Sequence, residues 1–296
     1  MYIYRLFILI SCVVTSLGLF NTAIITPAFS QAGASEKQDY ATVIMYHRFG
    51  ERRYPTTNVS IEQFESHLEF IAQGDYTVAP LIDIIETLQS GGVVKDKTVA
   101  ITVDDAYLSV YTQAWPRLKE YGFPFTIFVA TDPVDNNLRN YMSWDQIREL
   151  LEKGVTIGSQ TKSHPHMHRL SPIKVEQELT LSNNRFLEEI GQYPQLFAYP
   201  YGEYSLDVIK AVKDAGFIAA FGQNSGVLFA SDAMFELPRF AFNENYGSID
   251  RLKLALDGKP LRVTDITPQD MVLSENPPSY GFTVDQSLMP ISQLKI

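Results

Sequence analysis

Short β-branched runs alternate with amphipathic helical segments between residues 41 and 221, which restricts the chain to parallel strands joined by helical crossovers. Strands are expected at residues 41–46, 76–78, 98–103, 125–129, 156–158, 196–199 and 218–221. Ser60 reads as the N-cap of a helix whose Ile61, Phe64, Leu68 and Ile71 recur at helical spacing. Pro80 opens a second helix to residue 88. Ser143 and Gln146 form a capping box for a helix to residue 151. Further helices are expected at 111–121, 173–190 and 205–215. An open sheet and a closed barrel both satisfy this order. No Gly-x-Gly-x-x-Gly string follows a strand, so the dinucleotide fingerprint is absent. Asp104-Asp105, residues 159–164 and residues 199–202 each follow the C-terminal end of a different strand, the edge that carries chemistry in barrels. The expected fold is α/β, a distorted (β/α) barrel of about seven parallel strands over residues 33–256. A tail at 257–296 contains several prolines, shows no helical period and reads as irregular or β structure.

The N-terminus carries Arg5, an apolar run at 6–20 and small residues around Ala28, Ser30 and Ala32. That order predicts a signal peptide over residues 1–32 and export to the periplasm or beyond. An uncleaved anchor is the alternative, although the run is shorter than the roughly 20 residues of a membrane span. Leu9-Ile10-Ser11-Cys12 resembles a lipoprotein box, but the apolar run continues past Cys12. Cys12 is the single cysteine, so a chain cut after residue 32 has neither disulfide nor thiolate chemistry. The formal net charge of −10, with no basic cluster, argues against gripping a phosphate backbone. No nucleic acid and no stable protein partner are expected.

Three clusters ask for a common explanation. Adjacent acids at a strand end, Asp104 and Asp105, point to opposite faces unless the strand stops between them. His164, His166 and His168 put three of the five histidines within five residues, a density that favours a metal or catalytic cluster. By contrast, a lone histidine such as His67 reads as surface. The third cluster, Tyr199-Pro200-Tyr201-Gly202, is alone no more than a turn.

Taken in order, Thr102-Val103-Asp104-Asp105, Gln160 to His164 and Pro200-Tyr201 resemble the motifs of NodB-type polysaccharide deacetylases, carbohydrate esterase family 4. The resemblance spans about residues 42–242. Ile44-Met45-Tyr46-His47-Arg48 and Leu237-Pro238-Arg239 are most similar to the poly-N-acetylglucosamine deacetylase branch. It implies hydrolysis of an N-acetyl, or O-acetyl, group on an extracytoplasmic acetylated polysaccharide. It implies one divalent metal ion, zinc first, with nickel, cobalt or iron as alternatives. Asp105 and His164 would be ligands, and Asp104 the base for the activated water. The Tyr201 backbone N–H would donate to the oxyanion, and His47 would protonate the departing amine. Such a leaving group needs a donor of near-neutral pKa, which histidine supplies.

Two positions depart from the family pattern. Gln160 stands where the first metal histidine is expected, and an amide oxygen is a weaker donor than imidazole. Either Gln160 ligates, His166 or His168 swings in, or the site is metal-poor. Ala198 stands where an arginine partners the base, a role that Arg239 is expected to take. The alternative from another class is a metal-poor, deacetylase-like carbohydrate-binding or scaffold protein. A glycosidase would need a second carboxylate across the scissile bond, and none is identified. Tyr107, Trp144, Tyr199 and Tyr204 are candidates to stack on sugar rings, with packing as their other reading.

Overall fold

The computed structural model describes residues 37–285 except 231, 232 and 274. The segment 1–32 read as a signal lies outside the described residues. Six parallel strands lie side by side: β1 (Tyr40–Tyr46), β2 (Thr98–Asp104), β3 (Thr126–Val129), β4 (Thr156–Ser159), β5 (Leu196–Ala198) and β6 (Ala219–Phe221). A seventh, β7 (Phe240–Ala241), runs parallel to β1 on its free side. Three residues earlier, Leu237 bridges Phe221 of β6 in the parallel sense. The segment from Leu237 to β7 therefore spans the two ends of the curled sheet, the closure that makes it a distorted barrel. Leu228–Phe229 adds a short antiparallel strand to β1.

Strand parity sorts side chains onto two faces. In β2, Val99, Ile101 and Val103 join the large core that includes Phe64, Leu68 and Ile71 of helix α1 (Ile61–Gln73). Ala100 points the other way, with Val43, Phe128, Ala198 and Phe221, onto the concave face. Helix α2 (Leu81–Gln89) packs Leu81, Ile84, Ile85 and Leu88 against that inner set. Alanines at 100, 198 and 219 leave room for the Phe128 and Phe221 rings, 5.8 Å apart. Gly158 faces Phe128 in register, and a Cβ there would sit 2.4 Å from the ring. By the same parity Thr102 and Asp104 belong to the inner face, which delivers a carboxylate into the barrel.

The helix expected at 111–121 is interrupted. Val110–Ala114 forms a wide turn in which Trp115 N–H donates to Val110 O, five residues back, and α3 (Trp115–Glu120) follows. Pro116 explains the change, because it lacks an N–H and its ring would strike the carbonyl four residues earlier. Capping boxes at Ser60/Gln63 and Ser143/Gln146 start α1 and α4 (Trp144–Glu152). Helices α5 (Pro172–Ile190), α6 (Leu206–Asp214) and α7 (Ile249–Leu256) complete the outer layer. Beyond α7, Val263–Thr267 and Gly281–Val284 pair as an antiparallel ribbon. Arg262 anchors its base, donating to both oxygens of Asp39 beside β1.

The reading of His67 as a surface residue is incorrect: its side chain is completely buried. It lies three residues after Phe64 and four before Ile71, so it shares their stripe on α1. Counting only apolar residues hid it. Nε2 donates to Gly247 O and Nδ1 accepts the Tyr46 hydroxyl, both at 2.9 Å, which fixes a neutral ring. Burial lowers its pKa, partly opposed by the Gly247 bond. The unfolded chain therefore takes up a proton near pH 6.5 while the folded one resists, and stability falls as pH drops below that value. A His67→Gln variant should be less stable than the parent at pH 7.5 and lose less on acidification to pH 5.5. The difference is bounded by about 1.4 kcal/mol per pH unit for one proton. Urea midpoints at the two pH values measure it, and parallel losses in both proteins would remove His67 from the account.

Candidate active site

Strand β2 ends at Asp104, and the next two residues turn sharply out of the sheet, with φ of 73° at Asp105 and 40° at Ala106. Asp105 N–H donates to Phe128 O at 3.0 Å. This turn separates the two acids: Asp104 points into the barrel, and Asp105 reaches the wall of a cavity at the C-terminal strand edge. Thr161, His164 and Tyr201 also have positive φ at this edge, values of 69°, 57° and 61°. Such backbone costs on the order of 1–3 kcal/mol per residue and persists only where its surroundings hold it.

Those surroundings are visible for the loop after β4. Glu178 on α5 accepts from Lys162 N–H, Ser163 N–H and the Ser163 hydroxyl at 2.8–3.1 Å. Lys162 Nζ is paired with Asp132 at 2.6 Å, and His164 N–H donates to Thr161 Oγ1 at 3.0 Å. His164 is thereby held with Nε2 3.3 Å from Asp105 Oδ1. The Tyr201 ring lies edge-on to His164, centroids 4.6 Å apart, and flat against His166 at 4.1 Å. Gly202 continues that turn at φ 71°, where a Cβ would come within 2.7 Å of Gln223.

A cavity of about 490 Å³ gathers His47, Asp105, His164 and Tyr201 with Tyr107 and Tyr141. Asp104, Gln160 and Arg239 lie behind that wall, fully buried. Arg239 grips Asp104 with two parallel bonds, Nη1 to Oδ1 at 2.7 Å and Nη2 to Oδ2 at 2.8 Å. The guanidinium also donates to Gly222 O and Thr102 Oγ1. Arg239 thus supplies Asp104 with an arginine partner, reaching it from the closing segment rather than from β5, where Ala198 stands. Each carboxylate oxygen keeps lone-pair capacity after one bond from the guanidinium.

The donor set bears on a metal ion. Two donors bound to one tetrahedral ion at 2.0–2.1 Å sit about 3.3 Å apart, which is the Asp105 Oδ1 to His164 Nε2 separation. Gln160 Oε1 accepts weakly from Asp105 N–H at 3.3 Å, and Gln160 Nε2 is buried with no partner. An amide oxygen has two lone pairs, so the same atom can serve an ion as well. Among the described residues no group of three His, Cys, Asp or Glu is arranged to hold a metal. The residues present therefore fit a divalent ion held by two strong donors and one weak neutral one.

His166 and His168 are not brought to Asp105. Glu203 accepts from His166 Nδ1 at 2.6 Å and lies 3.3 Å from His168 Nδ1, so both rings turn towards the Tyr201 loop. The two histidines in turn hold the Glu203 pKa below its usual value. Of the four aromatic residues considered as sugar platforms, only Tyr107 lines the cavity. Trp144 packs on Phe186 and donates to Asp135, and Tyr199 and Tyr204 pack on each other in the outer core. Sequence reasoning missed Tyr141, which shares a side-chain hydrogen bond with Tyr107. No motif surrounds it, and only the Tyr107–Tyr141 bridge brings it to the site. Burial first, then the Asp105 charge, push the Tyr107 pKa up, so its hydroxyl stays protonated beside the acids.

Comparison with known proteins bears on the family and the fold. The family described as "Polysaccharide deacetylase" matches residues 91–220. YxkH of Bacillus subtilis (strain 168), which carries the polysaccharide deacetylase name, is 25% identical over 205 residues, 69% of this chain and 72% of the relative. The poly-β-1,6-N-acetyl-D-glucosamine N-deacetylase of Staphylococcus aureus (strain MRSA252) is 23% identical over 224 residues, 71% and 76% of the two chains. Among solved structures, the Streptococcus pyogenes deacetylase PplD in complex with acetate superposes with a TM-score of 0.68 at 21% identity, covering 73% of this chain and 98% of that one. IcaB from Ammonifex degensii gives 0.65 at 24%, covering 75% and 97%. Residues 91–220 thus match the polysaccharide deacetylase (NodB, carbohydrate esterase family 4) family, and poly-N-acetylglucosamine deacetylases are among the chain's distant relatives. That family typically uses a divalent metal and implies an acetylated polysaccharide as substrate.

Proposed function

We propose that this chain hydrolyses N-acetyl groups on a polysaccharide outside the cytoplasm, with one divalent ion, zinc first, held by Asp105, His164 and Gln160. The observation that carries the reading is the 3.3 Å approach of Asp105 and His164 on a cavity shared with His47 and Tyr201. When bound, the ion supplies Lewis acidity that brings the pKa of water from about 15.7 towards 7. Asp104, held in place by the paired bonds from Arg239, takes the proton from the attacking water. The Tyr201 N–H donates to the oxygen that gains charge as the acetyl carbon becomes tetrahedral. His47 gives a proton to the amide nitrogen as the C–N bond breaks, so acetate and a free amine leave. The Staphylococcus aureus relative is named for an N-acetylglucosamine polymer, which supports an amide substrate over an ester. Residues 1–32 are the proposed export signal, with cleavage near Ser30 or Ala32.

A second reading rests on the partnerless Gln160 Nε2: a deacetylase-like protein that binds acetylated glycans without a metal and without turnover. Metal content and acetate release, measured on the same purified chain with a panel of acetylated glycans, separate the two. The expected result is acetate release that a chelator abolishes and zinc restores. Glycan binding without metal or acetate would favour the second reading.

A further inference from the structure

His164 and Tyr201 reach the cavity from different loops, the first after β4 and the second after β5. The Tyr201 turn is the less secure of the two. Tyr201 holds φ 61° and ψ 5°, and Gly202 follows at φ 71°. Left-handed backbone is strained at a residue with a Cβ and persists only where its surroundings hold it. Core packing does not hold it, because Tyr201 is 48% exposed. Two histidines do. His166 lies flat against the Tyr201 ring, centroids 4.1 Å apart and planes at 15°, and His164 meets the same ring edge-on at 4.6 Å. Glu203, two residues beyond Tyr201, accepts from His166 Nδ1 at 2.6 Å. The contacts form a closed circuit: from Tyr201 along the backbone to Glu203, from its carboxylate to His166, and from that imidazole back to the Tyr201 ring. Both members of the Glu203–His166 pair are more than a third exposed, at 37% and 38%. Water would solvate either partner alone, so the bond adds little to stability. What it does is fix geometry.

We propose that Glu203 is a positioning residue: by holding His166 against the Tyr201 ring, it fixes the direction of the Tyr201 N–H relative to Asp105 and His164. The inference rests on the reading of Tyr201 as oxyanion donor given above. With the ring clamped, φ of Tyr201 cannot relax, and the N–H on the same residue cannot swing away. Gly202 makes the tie necessary, since a residue without a Cβ leaves the turn free to move. A loose turn would have to order its N–H at the moment charge develops on the acetyl oxygen. A preorganised donor avoids that cost. The neutral amide oxygen of bound substrate needs the donor less than the oxyanion does, so the effect falls on turnover rather than on binding. His166 follows His164 by two residues, so the same bond also sets the Tyr201 turn against the loop that carries a metal ligand. His168 Nδ1, buried and without a hydrogen bond, lies 3.3 Å from the Glu203 oxygen that His166 uses. Both imidazoles of that loop therefore face one carboxylate on the Tyr201 side.

The test compares Glu203→Ala with Glu203→Gln, whose amide oxygen still accepts from His166. At saturating zinc, with β-linked N-acetylglucosamine tetrasaccharides, Glu203→Ala should lower kcat about tenfold or more with KM within about twofold, a loss short of the roughly 10²–10³-fold for deleting an oxyanion donor outright. Glu203→Gln should recover kcat to within about threefold of the parent, because the bond rather than the charge does the holding. A Glu203→Ala/His166→Ala double variant should lose no more than His166→Ala alone, since both residues act through one ring. Zinc affinity and urea midpoint should match the parent in both Glu203 variants. Hydrogen exchange of the Tyr201 amide gives a readout independent of turnover. It is followed by NMR in protein carrying isotopically labelled tyrosine, the signal being assigned by its loss in Tyr201→Phe. Exchange should quicken in Glu203→Ala and return towards the parent rate in Glu203→Gln. If the parent releases no acetate while exchange still follows Glu203, the catalytic reading fails and the tie between the loops stands. Unchanged kcat and exchange in Glu203→Ala overturn the proposal, as does a Glu203→Gln variant as impaired as Glu203→Ala. A loss of kcat that tracks altered zinc affinity or a lowered urea midpoint overturns it as well, by assigning Glu203 to the metal or to the fold.

Discussion

Urea unfolding of an Arg239→Met variant is expected to show a loss of about 3–5 kcal/mol, the usual consequence of removing one partner from a buried ion pair. Asp104 and Arg239 are both wholly inaccessible, and each carboxylate oxygen is spoken for by one guanidinium nitrogen. Removing the arginine strands a carboxylate among Phe128, Phe221 and the inner alanines, where desolvation is most costly. Asp104→Asn strands the cation instead, but the asparagine oxygen still accepts one hydrogen bond, so its loss should be smaller. Pairing Asp104→Val with Arg239→Met removes both charges and should regain most of the stability, because the desolvation penalty disappears with the ions. Activity should not return. Loss of a general base costs about 10²-fold or more, and no apolar side chain replaces it. Acetate release at the parent's rate from the folded double variant would exclude Asp104 from the chemistry and leave the pair a purely structural device.

The strands and most helices were legible because burial imposes patterns that a sequence displays locally: apolar runs at β2 and β3, capping boxes before α1 and α4, and a proline or serine at each helix start. Asp104 and Asp105 were legible for the same reason, since two polar residues directly after an apolar run mark a strand end. What closes the barrel was not legible. Leu237 to Ala241 holds only two strand residues, includes Pro238 and owes its extended path to β6 on one side and β1 on the other. His67 was misread because a histidine that satisfies both ring nitrogens inside a protein looks, in sequence, like one that meets water. Tyr199 shares the parity of Phe197, which sends its ring to the outer core, so its nearness to the Pro-Tyr-Gly turn was misleading. Glu51 carried no signal at all: Ser109, which donates to it directly, and Tyr107, which it meets through Arg48, both lie more than fifty residues away.

Metal titration of the stripped protein should give the largest functional effect. Asp105→Asn and His164→Ala should each leave little bound zinc and abolish acetate release, because each removes one of only two strong donors. Gln160 makes the experiment more informative than loss of function alone. Its oxygen is a neutral donor shared with the Asp105 N–H, and its nitrogen is buried without a partner. Gln160→His exchanges that arrangement for an imidazole at the same point of the loop and should tighten zinc about tenfold or more, roughly 1.4 kcal/mol. Activity should then rise where zinc is scarce and change little where it is saturating. Gln160→Ala should weaken zinc while leaving the urea midpoint near the parent's, since deleting the amide also deletes an unsatisfied buried donor. If neither change moves the zinc affinity, Gln160 is not at the ion. Glu203 holds His166 and His168 towards the Tyr201 loop, so recruiting either as the third ligand would first require breaking that contact, and a Glu203→Ala variant would then raise affinity. A parent chain that binds no zinc while Gln160→His does would make the glycan-binding reading the better one, with Gln160 the residue that decides between a catalyst and a binding protein.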